Sequence, residues 1–169
     1  MQLVIIRHAI AVEPEEAATE KLPDAERPLT KPGKKKMRAA ARGLASVVER
    51  IDLLAASPLI RAQETAGIVA EAFNGMKVAT VDELKPGKPV KAVLQWLQGQ
   101  PADATIAVVG HEPQLGMLIS HLLAGERKRA FVEVRKGSAA LLEFPEQVKA
   151  GGAVLQWMLK PGQLRDLGA

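Results

Sequence analysis

The chain is 169 residues long, with 23 Lys and Arg against 19 Asp and Glu, for a formal charge of +4, and it contains no cysteine. That length predicts a single domain over 1–169, and a content of 47% hydrophobic and 25% charged residues is enough for a core and excludes a disordered chain. The lack of cysteine excludes disulfides, Cys-ligated zinc, iron–sulfur clusters and thiolate nucleophiles, which leaves covalent chemistry to Ser, Thr, His, Lys or a carboxylate.

Leu3 to Ile6 is a short apolar run with no basic stretch before it, so it reads as a buried strand rather than a signal peptide. Ala11 to Glu26, rich in Glu, Ala and Pro without periodicity, reads as a surface loop near that strand's end. A helix is predicted from about Lys34 to Val48, with Thr30 as its N-cap and Lys34, Lys35, Arg38 and Arg42 on a basic face taken as solvated. Leu53 to Ala56 is the second strand, Leu59 to Phe73 a helix, Val78 to Val81 the third strand and Val90 to Leu97 a helix. Thr105 to Val109 and a helix from Gln114 to Leu123 follow, with Gly or Pro punctuating most joints. Ala139 to Phe144 and Ala153 to Leu159 read as an antiparallel hairpin that completes the sheet. The expected fold class is therefore α/β, three-layered, with a mostly parallel central sheet, helices on both faces and a C-terminal antiparallel hairpin. No stretch is long and apolar enough for a membrane span, and a soluble, cytoplasmic protein is the default expectation. Two Trp, three Phe and no Tyr are a poor stock of stacking surfaces, so nucleic acid is not the expected partner.

Open α/β sheets bind ligands beyond the carboxyl ends of their strands. The residues there are Arg7-His8, then Ser57-Pro58-Leu59-Ile60-Arg61, Asp82-Glu83 and Gly110-His111-Glu112-Pro113. Two of the three histidines and two arginines thus fall on one edge, a combination suited to phosphoryl chemistry.

The segments Val4-Ile5-Ile6-Arg7-His8-Ala9, Ser57-Pro58-Leu59-Ile60-Arg61-Ala62-Gln63-Glu64-Thr65-Ala66 and Val108-Val109-Gly110-His111-Glu112-Pro113 resemble the motifs of the histidine phosphatase superfamily, also called phosphoglycerate mutase-like. The small size, with Arg27-Pro28-Leu29-Thr30-Lys31-Pro32-Gly33 and Leu159-Lys160-Pro161-Gly162-Gln163-Leu164, is similar to the SixA branch of protein phosphohistidine phosphatases. The resemblance implies His8 as nucleophile, Arg7 and Arg61 as phosphate-binding arginines, and His111 as a donor to the transferring phosphoryl group. It implies Glu83 as a general acid, and Arg27 is a candidate for the pocket rim. No cofactor and no metal are implied. The partners are a phosphohistidine-bearing protein and a phosphate or other oxyanion in the site. The family's usual glycine after the Arg-His pair is Ala9 here, which requires a backbone conformation open to alanine.

The same residues admit a phosphatase of small phosphomonoesters or polyphosphate, with Lys85, Lys88 and Lys91 attracting the anion. A binding module that uses Lys31 to Arg42 and Arg127 to Lys136 as a basic surface predicts affinity that falls steeply with salt and ignores His8. A metallohydrolase is the least favoured, because the histidines lack ligand spacing. His121, on an otherwise apolar helix, reads as structural.

Overall fold

The computed structural model describes residues 1–126 and 128–169. Strands β1 (Gln2–Arg7), β2 (Leu53–Ala56), β3 (Val78–Thr80), β4 (Thr105–Gly110), β5 (Ala139–Glu143) and β6 (Val154–Leu159) form one sheet in the order β3-β2-β4-β1-β5-β6. β1, β2, β3 and β4 run parallel, while β5 is antiparallel to both β1 and β6. The hairpin expected at the C-terminal end is thus built onto the free side of β1, which becomes an interior strand.

Side chains alternate across a strand, so each apolar run supplies two core faces. Val4, Ile6, Leu54, Ala56, Ala107 and Val109 face helices α2 (Lys31–Val47) and α3 (Ile60–Ala72). Leu3, Ile5, Ala55, Ile106 and Val108 face α4 (Val90–Gln98) and α5 (Gln114–Ala124). This gives the three-layered α/β arrangement that the run-and-helix alternation predicts. Burying each of these Leu and Ile side chains contributes roughly 1.5–3 kcal/mol.

Thr30 caps α2 as expected, its Oγ1 accepting the Gly33 N–H at 3.0 Å. A further helix, α6 (Pro161–Leu167), was not foreseen: it has seven residues, too few to be stable alone. It is held by Leu164 against α2, where a Cβ on Gly43 would come within 1.8 Å of the Leu164 carbonyl oxygen. The two helices therefore meet backbone to backbone.

The reading of Ala11 to Glu26 as a surface loop is corrected. It contains helix α1 (Pro14–Thr19), a 3-10 turn at Asp24–Glu26, and the buried Ala11 and Ala17. The sequence does not announce this short helix, because its burial rests on Ala17 rather than on a repeating apolar stripe. Among the described residues no helix is long and apolar enough to cross a membrane.

Candidate active site

Parallel pairing brings three strand ends to one level. The backbone N–H of His8, just past β1, donates to the Gly110 carbonyl at 3.1 Å, and that of Ser57, just past β2, to the Val109 carbonyl at 3.0 Å. His111 follows β4 directly, and Arg61 lies in the first turn of α3, which β2 feeds. The ring centroids of His8 and His111 are 5.1 Å apart, and both side chains are buried. Ala9 does not occupy the left-handed region, so the backbone there is open to alanine, as the sequence reading required. Its N–H donates to Thr65 Oγ1 at 3.0 Å, and that hydroxyl donates to the Arg61 carbonyl at 2.7 Å, tying β1's end to α3.

His8 Nδ1 lies 2.7 Å from the Ala9 carbonyl oxygen. A carbonyl only accepts, so Nδ1 carries the ring proton and Nε2 keeps its lone pair. Burial pushes the His8 pKa down to about 4; the bond to Ala9 opposes this, and the Arg61, Arg7 and Lys136 charges assist it. His111 falls to about 3, through burial first and then the neighbouring His8 and Arg61. Both imidazoles are neutral at pH 7.

Unfolded histidines take up protons below about pH 6.5 while these two resist. The stability they confer is present above pH 6.5 and is lost progressively as pH falls from there to their folded values of about 4 and 3. The expected kinetic result is that the acid limb of kcat/KM, which reports the free enzyme, bends near pH 4 rather than 6.5 once the substrate's own ionisation is divided out. A pH series on an aryl phosphate checks this; a bend near 6.5 contradicts a neutral, buried His8.

Two guanidiniums frame the histidines. Arg7 donates from Nη1 to the Val134 carbonyl at 2.8 Å. Val134 is fixed in turn by Glu112, whose Oε1 accepts its N–H and whose Oε2 accepts that of Gly116. Arg61 donates from Nη1 to the Asp24 carbonyl at 2.7 Å and from Nη2 to Asp24 Oδ2 at 3.2 Å. The nearby Glu64 is engaged elsewhere, accepting from Lys34 and from the Leu29 N–H. Arg27 is buried and donates to Asp24 Oδ1 at 2.9 Å and to the Val12 carbonyl at 2.6 Å, so Asp24 joins the two arginines. Although burial opposes it, Arg27 and Arg61 hold the Asp24 carboxyl below the usual carboxylate range.

Arg7 Nε, Arg61 Nε and His111 Nδ1 are buried without a partner among the described residues. Unpaired buried donors are costly, and an oxyanion seated between two guanidiniums and an imidazole would satisfy them.

Comparison with known proteins agrees with that chemistry. Residues 3–86 match the model of the histidine phosphatase superfamily, branch 1. Phosphohistidine phosphatase SixA of Escherichia coli is 30% identical over 168 residues, which cover 98% of this chain and 97% of that protein.

The chain belongs to the histidine phosphatase superfamily.

The structure of the protein histidine phosphatase SixA complexed with tungstate superposes with a TM-score of 0.82 at 28% identity, over 97% of this chain and 99% of that one. The alpha-ribazole phosphatase of Shigella flexneri shares the fold, with a TM-score of 0.66 at 20% identity over 95% and 97% of the two chains. The protein is thus a phosphatase of the histidine phosphatase superfamily, with the SixA-type fold.

Not every predicted residue joins the cluster. Glu83 lies half-buried in a 3-10 turn after β3, its backbone carbonyl held by Gln114 Nε2 at 2.8 Å. Among the described residues that carboxylate makes no hydrogen bond to His8, His111, Arg7 or Arg61. Arg27 reaches the cluster only through Asp24. His121 is buried in the last turn of this phosphatase's α5, in keeping with a structural role. Lys85 and Lys91 are paired with Asp82 and Glu126. Arg127 of the second basic stretch lies outside the described residues.

Asp24, Ser57 and Glu112 were not singled out from the sequence as site residues. Asp24 sits in a segment without periodicity, so nothing local marked it. Ser57 and Glu112 stood inside the quoted motifs, and their place directly after a buried run was the available signal.

Proposed function

We propose that this phosphatase hydrolyses phosphohistidine on a signalling or phosphotransfer protein, without a metal, through a phosphohistidine intermediate on His8. The observation that carries the reading is the neutral His8 ring, with its proton on Nδ1 against the Ala9 carbonyl and its Nε2 lone pair free. In the first step Nε2 attacks phosphorus and the bond to the substrate nitrogen breaks. A substrate imidazole protonated on its second nitrogen leaves as a neutral ring. In the second step water attacks the phosphoryl group on His8, the P–Nε2 bond breaks, and inorganic phosphate and neutral His8 are released. Arg7, Arg61 and His111 hold the equatorial oxygens throughout, which is most of what phosphoryl transfer asks of a protein.

Glu83 is assigned the role of general acid for oxygen leaving groups, which must be protonated as they depart, whereas an imidazole leaves with its own proton. Glu83→Gln is expected to slow an alkyl phosphate by roughly a hundredfold and a phosphohistidine peptide far less. Equal losses on both substrates would remove Glu83 from the chemistry. The reading of small phosphomonoesters as the true substrate draws less support, because two of its three lysines, Lys85 and Lys91, are engaged by carboxylates, which leaves Lys88.

The test is to quench turnover of a radiolabelled phosphohistidine protein in excess chelator and look for label on the enzyme. Label that is acid-labile, base-stable and missing from His8→Ala is expected. Turnover with no such intermediate, or with full activity in His8→Ala, overturns the mechanism.

A further inference from the structure

The basic face of α2 reads from the sequence as a solvated surface, but the fold brings it together with α6 and with the segment that follows His8. A cavity of about 180 Å³ is lined by Ala9, the neighbour of His8, by Gly137, and by the cationic Lys36, Lys136 and Arg165. Lys36 and Arg165 also line a second depression, where Lys35, Arg38 and Arg42 continue the row along α2. Lys35, Arg38 and Arg42 are spaced so that they share one side of the helix, where like charges repel.

Two cations bordering this surface are paired, Lys34 with Glu64 and Lys136 with Glu13. Among the described residues Lys35, Lys36 and Arg165 have no ion pair, and Arg38 reaches Glu71 only at 4.0 Å. Positive charge on α2 and α6, of which Lys35, Lys36 and Arg165 have no ion pair among the described residues, therefore leads from the solvent side of α2 toward Ala9.

We infer that this groove, running over α2 and α6 to Ala9, docks an acidic segment of the phosphoprotein substrate and so sets which phosphohistidines reach His8. The inference rests on the phosphoprotein reading above. Carboxylates of a partner would relieve the repulsion along α2, and the interaction would act mainly on encounter and KM. Nucleic acid suits the groove less well, since no aromatic side chain lines either depression to stack a base.

The experiment compares wild type with the triple variant Lys35→Glu, Lys36→Glu, Arg165→Glu, none of which belongs to the catalytic cluster. Three substrates are used: a phosphohistidine peptide flanked by glutamates, the same peptide flanked by glutamines, and para-nitrophenyl phosphate. Binding of the unphosphorylated glutamate peptide is measured in parallel by fluorescence anisotropy, with a single-stranded RNA as competitor. Wild type is expected to favour the acidic phosphopeptide by roughly tenfold in kcat/KM, through KM and more strongly at low salt. The variant is expected to lose that preference and the anisotropy signal, with its para-nitrophenyl phosphate rate unchanged.

Wild-type turnover of both phosphopeptides without a preference overturns the groove while leaving the proposed function standing. Failure on both phosphopeptides, with glutamate-peptide binding that the variant abolishes, supports the groove and overturns the phosphohistidine reading. Absence of peptide binding, or displacement by RNA at far lower concentration, overturns the groove.

Discussion

Arg61→Ala is expected to lower kcat/KM on a phosphohistidine peptide by about two decades or more while the protein still folds. The loss follows from what the guanidinium holds in reserve. Its Nη1 and Nη2 each give one hydrogen to Asp24, which leaves the second hydrogen of each nitrogen and the unpartnered Nε–H for a phosphoryl group. These donors sit in a buried site, where charge stabilisation is strong and needs no reorganisation as the transition state forms.

Survival of the fold follows from the asymmetry of the ion pair. The Arg61 side chain is 5% exposed but that of Asp24 is 63% exposed. Truncating the arginine therefore leaves a carboxylate that water can solvate rather than a stranded buried charge. Steady-state kinetics beside a thermal melt checks both halves. Arg61→Lys should recover only part of the activity, since an ammonium keeps the charge and loses the planar fork. Near-normal kcat/KM in Arg61→Ala would remove it from the phosphate site.

The second large effect is expected at His111, and it should be shared with Ser57. His111→Ala should cost about a hundredfold to a thousandfold in turnover, the range for losing one preorganised donor. His111 Nε2 lies 2.8 Å from Ser57 Oγ, and Nδ1 is buried without a partner. Ser57 Oγ already accepts the Leu59 N–H at 3.4 Å. If the serine gives its own proton to Nε2, the single N–H of the neutral ring is placed on Nδ1, the free atom. The opposite tautomer would aim a lone pair at an anion. Ser57 is thus a positioning residue, and Ser57→Ala should cost about tenfold by loosening the tautomer. Nitrogen chemical shifts of His111 in Ser57→Ala should reveal mixed tautomers; an unchanged Nδ1–H tautomer with lowered activity would refute this role.

The legibility of the site divides along physical lines. Arg7 and His8 could be read because they adjoin a strand whose apolar run marks its own end, and His111 for the same reason after β4. Arg61 could be read because Pro58 and the periodic residues behind it announce a helix start. Asp24 could not: it bonds Arg61 across 37 positions, from a segment whose helix and turn bury little. The Val134 carbonyl that holds Arg7 is a backbone atom, and no residue type signals that a carbonyl will be needed there. Helix α6 could not be read either, since seven residues become a helix only by packing on α2 at Gly43.

The sequence by itself therefore determined the layers of the sheet and the strand ends that carry His8 and His111, because apolar runs and the residues that end them are local properties of the chain. It also determined that nucleophilic chemistry would not be thiol chemistry, a matter of composition. Only the tertiary structure decided the protonation of His8 and His111, the partner of Arg61, and the course of the basic groove. These depend on burial and on distances between segments remote in the chain. A pKa, a tautomer or a row of positive charge exists only once the surroundings of each group are assembled.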